Sequence, residues 1–388
     1  MQKTKTYISD TVSRLKPSGI RRFFDLAASM EGVISLGVGE PDFITPWSVR
    51  EACILSLEQG YTSYTANAGL WELRKEISDY VARRFHVLYD PADEIIVTVG
   101  ASQALDVSLR AIVNPSDEVI VVEPSFVSYA PLVSLAGGVP IPIQTSGKHQ
   151  FKLQPEQIEQ VVTPKTKALI ICSPNNPTGA VLNAKELMQI AHIVEKHDLL
   201  VISDEIYAEL CYDEQYTSFP AIDRMRERTI LINGFSKGFA MTGWRLGFIA
   251  APRDFATAML KIHQYTMMCA PTMAQYAAIE ALQNGAADVE QMKKSYRQRR
   301  NFFVQSLNEI GLSCHMPGGA FYAFPSIQST GMTSEQFAER LLLEEKVAVV
   351  PGHVFGGSGE GYIRCSYASS LEQLQEAIRR MKRFLERL

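Results

Sequence analysis

Through the middle of the chain, short apolar runs alternate with stretches in which apolar residues recur every three or four positions. The runs predict strands over residues 94–99, 118–122, 139–143, 168–172, 199–203, 229–233 and 244–250. Several are nearly continuous Val, Ile and Leu, the pattern of strands covered on both faces. The three-and-four spacing predicts helices over 102–113, 184–197 and 253–265. Strand–helix alternation implies an α/β domain whose seven-stranded, mostly parallel sheet is sandwiched by helices.

The pattern changes after residue 285. A long helix near 289–310 carries KKSYRQRR, short strands follow around 319–324, 348–350 and 362–366, and a final helix covers 371–388. This reads as a smaller α+β domain. The first 46 residues have little strand pattern and are expected to pack on it or on a partner subunit. The expected division is thus 47–284 for the large domain, with 1–46 and 285–388 forming the small one. No Gly/Ser linker separates them, so a broad interface is expected.

With 46% hydrophobic and 21% charged residues, the 388-residue chain has ordinary globular usage, not that of a disordered, collagen-like or coiled-coil protein. Lys plus Arg is 38 against 42 Asp plus Glu, so no basic excess drives nucleic-acid binding. No apolar run approaches the roughly 18 residues of a membrane helix, and MQKTKTYISD lacks a signal peptide's apolar core. Cys53, Cys172, Cys211, Cys269, Cys314 and Cys365 form no CxxC pair, which reads as reduced thiols in a cytoplasmic protein without a metal site.

The strongest chemical signal is GFSKGFAMTGWRLGF. Lys237 follows a predicted strand, where ligands of open α/β sheets bind. Small neighbours let a ligand approach it, and dehydration would make the amine nucleophilic. Arg245, eight residues on, suits a phosphate. Taken alone, the two would read as a solvated loop lysine and a strand-edge arginine; the whole fifteen-residue string changes that.

This string resembles the lysine site of class I pyridoxal-phosphate aminotransferases, the aspartate aminotransferase fold type. Gly234, Ser236, Gly243, Arg245 and Gly247 meet the family pattern. The resemblance implies that Lys237 carries pyridoxal 5'-phosphate as an aldimine and that Arg245 and Ser236 serve its phosphate. SDEIYAEL supplies Asp204, a partner for the pyridine nitrogen, and Tyr207, a donor to the ring oxygen; Asp204 alone would read as a helix cap. SPNNPTGA supplies Asn176, before a proline whose peptide bond is open between cis and trans, for the same ring oxygen.

VTVGASQAL offers the N–H groups of Gly100, Ala101 and Ser102 to the phosphate at a helix start, with Ser102 also readable as a plain N-cap. EPSFVSYAP supplies Phe126 to stack on the ring. SLGVGEPDF and GYIRCSYA place Gly39 and Arg364 for the substrate carboxylate. YTSYTANAG supplies Tyr64, which in the family reaches the neighbouring subunit's phosphate and so implies a homodimer with composite sites.

The resemblance spans residues 13–388. It departs at Gly234, where relatives often have Ser, and at Phe126, where many have Trp or Tyr. It implies amino transfer between an amino acid and a 2-oxo acid. The alternative on this fold is a C–S β-lyase, against which MTGWR, GEPDF, NPTG and IRCSYA weigh. Regulators of this fold carry an added DNA-binding domain, for which nothing here speaks. Arg21, Arg22, Arg110 and His353 are candidates for the substrate side chain, and the donor stays open.

Overall fold

The computed structural model of the protein describes residues 7–15, 17, 19 and 30–388. Its centre is a seven-stranded sheet in the spatial order Ile95–Thr98, Gly247–Ala250, Thr229–Gly234, Leu200–Asp204, Thr166–Cys172, Glu118–Glu123 and Val139–Gln144. Gly247–Ala250 runs antiparallel to both neighbours, and the other pairings are parallel.

Alternate residues of the central strands face opposite layers, as the two-residue period of a strand requires. Ile170, Ile202, Ile230 and Ile232 pack with Ala104 and Leu105 of helix Gly100–Ile112 and with Met259 of helix Arg253–Thr266. Leu169, Ile171 and Val201 pack on the other side with Leu187, Ile190 and Val194 of helix Ala184–Lys196. That helix starts where the sequence supplies a capping box: Asn183 Oδ1 accepts from the Glu186 N–H at 3.0 Å, and Glu186 Oε2 accepts from the Asn183 N–H at 2.8 Å. Burial on both faces explains why these strands read as unbroken apolar runs.

Helices Ala286–Glu309, Ser334–Glu345 and Leu371–Leu385 accompany a three-stranded sheet of Val350–Pro351, Ile363–Ser366 and Tyr322–Ala323. In the last helix Leu374, Ala377, Met381 and Phe384 face inward at helical spacing. The N-terminal part, which has little strand pattern of its own, contributes one short strand. Ile34–Ser35 pairs in parallel with Val347–Ala348. A two-residue strand is too short to show a period of two.

Two boundaries near the site also differ. Helix Gly100–Ile112 begins before Ser102, with Val99 at the cap position and no side-chain cap. Ser102 is therefore a first-turn residue, not the N-cap. The strand expected over 244–250 starts at Gly247 because Thr242–Trp244 forms a short 3-10 turn and Arg245 takes a left-handed φ of 52°.

Candidate active site

Asp204, Asn176 and Lys237 lie at or just beyond the carboxyl ends of adjacent parallel strands. They line one cavity of about 540 Å³. Tyr207, Phe126, Ala101, Ser102, Ser236 and Arg245 line it too, with Gly39 and Arg364 contributed from the smaller sheets' side. Gly100 stands directly behind Arg245: a Cβ there would lie 2.7 Å from Arg245 Nη2. The Asn176–Pro177 peptide is cis.

Lys237 Nζ donates to the Gly39 carbonyl at 2.6 Å and lies 5.9 Å from the ring centroids of Tyr207 and Phe321. Burial lowers its pKa to about 8; the Arg364 and Arg245 guanidiniums add to this, and Glu40 opposes it. Asp204 is 4% exposed. Burial pushes its carboxyl up, and hydrogen bonds from the Tyr129 hydroxyl at 2.6 Å and the Ile206 N–H at 3.3 Å pull it back.

Arg364 is 4% exposed and forked between two acceptors. Its Nη1 donates to Asn176 Oδ1 at 3.0 Å and its Nη2 to the Gly37 carbonyl at 2.6 Å. Its guanidinium lies over the Tyr322 ring at 4.5 Å, while the Tyr322 and Tyr207 hydroxyls are 2.8 Å apart. Arg364 Nε is buried without a hydrogen-bond partner among the described residues.

Other candidates fall elsewhere. Tyr64 is 79% exposed and outside the cavity. Arg110 pairs with Asp106 at 2.9 Å on its own helix. His353 meets the Ser334 hydroxyl at 2.8 Å. Arg21 and Arg22 lie outside the described residues.

Sequence reasoning missed several cavity residues. Tyr129 lies three positions after Phe126 in the same string, across a turn in which its N–H donates to the Phe126 carbonyl at 3.2 Å. Tyr322, Cys172, Glu40 and Thr242 also line the cavity. Glu40 Oε2 accepts from the Thr242 hydroxyl at 3.0 Å, tying the Gly39 turn to the Lys237 loop.

The family description "Aminotransferase class I and II" matches residues 31–381. The chain belongs to this family. The Bacillus subtilis protein YugH is 69% identical over 98% of this chain and 99% of its own. An aspartate aminotransferase of Pyrococcus abyssi is 49% identical over 97% and 98%. The crystal structure of an aromatic aminotransferase from Pyrococcus horikoshii superposes with a TM-score of 0.91 at 47% identity, covering 95% of this chain and 99% of that one. The chain is a pyridoxal-phosphate-dependent aminotransferase.

The aminotransferase cavity has a donor set that fits this cofactor. A helix N-terminus and Arg245 stand together for a phosphate. A buried carboxylate suits a protonated ring nitrogen, and a lysine of lowered pKa suits an aldehyde.

A second buried carboxylate lies next to Asp204. Glu205 Oε1 accepts from the Ser203 hydroxyl at 2.8 Å, the Ser218 hydroxyl at 2.9 Å and the Phe219 N–H at 3.0 Å. Burial outweighs these bonds and raises its pKa to about 7. A raised folded pKa gives stability that is complete below the unfolded value and lost as pH rises through the folded one. Between pH 5 and 8 this loss amounts to up to about 3 kcal/mol. Glu205→Gln keeps an acceptor without the charge, so its Tm advantage over the parent should grow from pH 5 to pH 8. A pH-independent difference in thermal melts would rule out Glu205 as the titrating group.

Proposed function

We propose that the enzyme moves an amino group from an L-amino acid to a 2-oxo acid in two half-reactions at this one cavity. Lys237 would be both the covalent anchor of the cofactor and the carrier of the substrate proton. The observation behind this reading is the meeting of the Lys237 amine, of lowered pKa, with a buried forked arginine in one cavity. When bound, pyridoxal phosphate supplies an aldehyde that joins amines and a ring that takes up the electron pair left on Cα.

The side chains do the rest. Arg364 grips the α-carboxylate with two parallel N–H groups, which orients Cα toward Lys237, and Gly39 lies at the same carboxylate. Lys237 Nζ, once free, takes the proton from Cα. Asp204 holds the proton of the ring nitrogen, while Tyr207 and Asn176 meet the ring oxygen. Phe126 packs on the ring face. The N–H groups of Gly100, Ala101 and Ser102, with Ser236 and Arg245, hold the phosphate. The chain divides at about residues 46 and 284, with the larger unit carrying the cofactor. Six free cysteine thiols support a cytoplasmic setting.

Tyr64 belongs to this proposal as a contribution to the partner's phosphate in a C2 homodimer. It lies between helices Trp47–Glu58 and Trp71–Phe85, in a stretch of chain that also exposes the apolar residues Trp47, Ile54 and Tyr61. Mixed dimers of Tyr64→Ala and Lys237→Ala collect both defects in one site and leave the other intact. They should recover roughly half of a normal dimer's activity. No recovery in verified mixed dimers would assign Tyr64 to its own subunit.

Aspartate and aromatic donors, the substrates in the relatives' names, are the first to assay against 2-oxoglutarate. Amino transfer from either supports the proposal. Pyruvate and ammonia from cystathionine, without amino transfer, would replace it with the lyase reading.

A further inference from the structure

We propose that Tyr129 is a positioning residue for the cofactor: its hydroxyl holds the Asp204 carboxylate in place while its ring braces Phe126. The inference rests on the reading of Asp204 as partner of the ring nitrogen. Tyr129 opens helix Tyr129–Leu135, is 2% exposed and lines the cavity. Its hydroxyl donates to Asp204 Oδ2 at 2.6 Å. Among the described residues, the other carboxylate oxygen receives only the longer bond from the Ile206 N–H, at 3.3 Å.

The Tyr129 ring meets Phe126 edge to face, with centroids 5.7 Å apart and planes at 78°. One side chain thus touches both the group that meets the cofactor's ring nitrogen and the group that meets its face. The other titratable groups near Asp204 do not duplicate the bond. Cys172 is its register partner on the next strand, with a thiol kept neutral by burial. Glu205 is engaged with Ser203, Ser218 and Phe219. Lys237 donates to Gly39. A buried carboxylate keeps its charge through such donors, and losing one favours the neutral form.

Tyr129→Phe removes the hydroxyl and keeps the ring. The test uses holoenzyme reconstituted with pyridoxal phosphate carrying 15N at its ring nitrogen. In Tyr129→Phe the 15N resonance is expected to move toward the unprotonated position. The cofactor's dissociation constant is expected to rise about ten-fold. Asp204→Asn should shift both readouts further. Tyr129→Phe added to Asp204→Asn should then change little, because the hydroxyl acts through the carboxylate.

If Asp204→Asn leaves resonance and affinity at parental values, the reading of Asp204 fails. If Asp204→Asn moves them and Tyr129→Phe does not, the inference about Tyr129 alone is overturned. Equal losses from Tyr129→Phe in both backgrounds would reveal packing only and overturn it as well.

Discussion

Lys237→Ala is expected to lose turnover by at least about 10⁴-fold, because in the proposed function one amine would serve as both covalent anchor and proton carrier. No neighbour can stand in for it. The other cations lining the cavity among the described residues are Arg245 and Arg364, and a guanidinium stays protonated. Cofactor is expected to remain partly bound, since the phosphate and ring contacts do not involve Nζ. Steady-state assays with the best donor, together with absorbance of the gel-filtered protein, separate these two effects. Borohydride reduction of the parent should fix the cofactor on Lys237, and a label on any other lysine would end the assignment.

Arg364 carries the second large effect. Its two terminal nitrogens already point at Asn176 and Gly37, and its plane lies over Tyr322 at 4.5 Å and Phe355 at 5.0 Å. A lysine can reproduce neither the fork nor the stacking. A lysine keeps the charge but leaves at least one hydrogen bond to the carboxylate unmade, worth about 1.5–3 kcal/mol. Arg364→Lys should therefore lower kcat/KM by roughly 10–10²-fold, with most of the change in KM. The donor and the acceptor should suffer alike, because both present an α-carboxylate. Half-reactions followed by absorbance give each KM separately. Unchanged values would remove Arg364 from substrate binding.

The sequence made the large sheet legible because its strands are apolar on both faces and end in turn-rich strings. Helix Ala184–Lys196 was legible almost to its ends, the spacing carrying the expectation one residue too far, to His197. Asp204 and Lys237 were singled out by the strings around them, because a strand end alone reads equally well as a helix cap or a loop lysine. The site was illegible where two distant segments meet. Arg299 holds both oxygens of Asp42 at 2.8 Å and so anchors the Gly39 turn to helix Ala286–Glu309. Nothing in RQRR or GEPDF singles out that partner. Tyr322 was hidden for the same reason: its importance comes from facing Tyr207 and Arg364 across the fold. The left-handed Arg245 was also beyond reach, since arginine has no preference for that conformation.

The glycines of GFSKGFAMTGWRLGF differ sharply in the room around them. A Cβ on Gly234 would stand 2.8 Å from the Gly247 Cα, and one on Gly247 would stand 2.8 Å from the Ala101 nitrogen. Those neighbours are backbone and cannot step aside. A Cβ on Gly243 would meet nothing within 4 Å. For directed evolution, saturating Gly243 should yield mostly folded variants beside the Thr242–Glu40 contact, whereas the same library at Gly234 or Gly247 should return little but the parental codon.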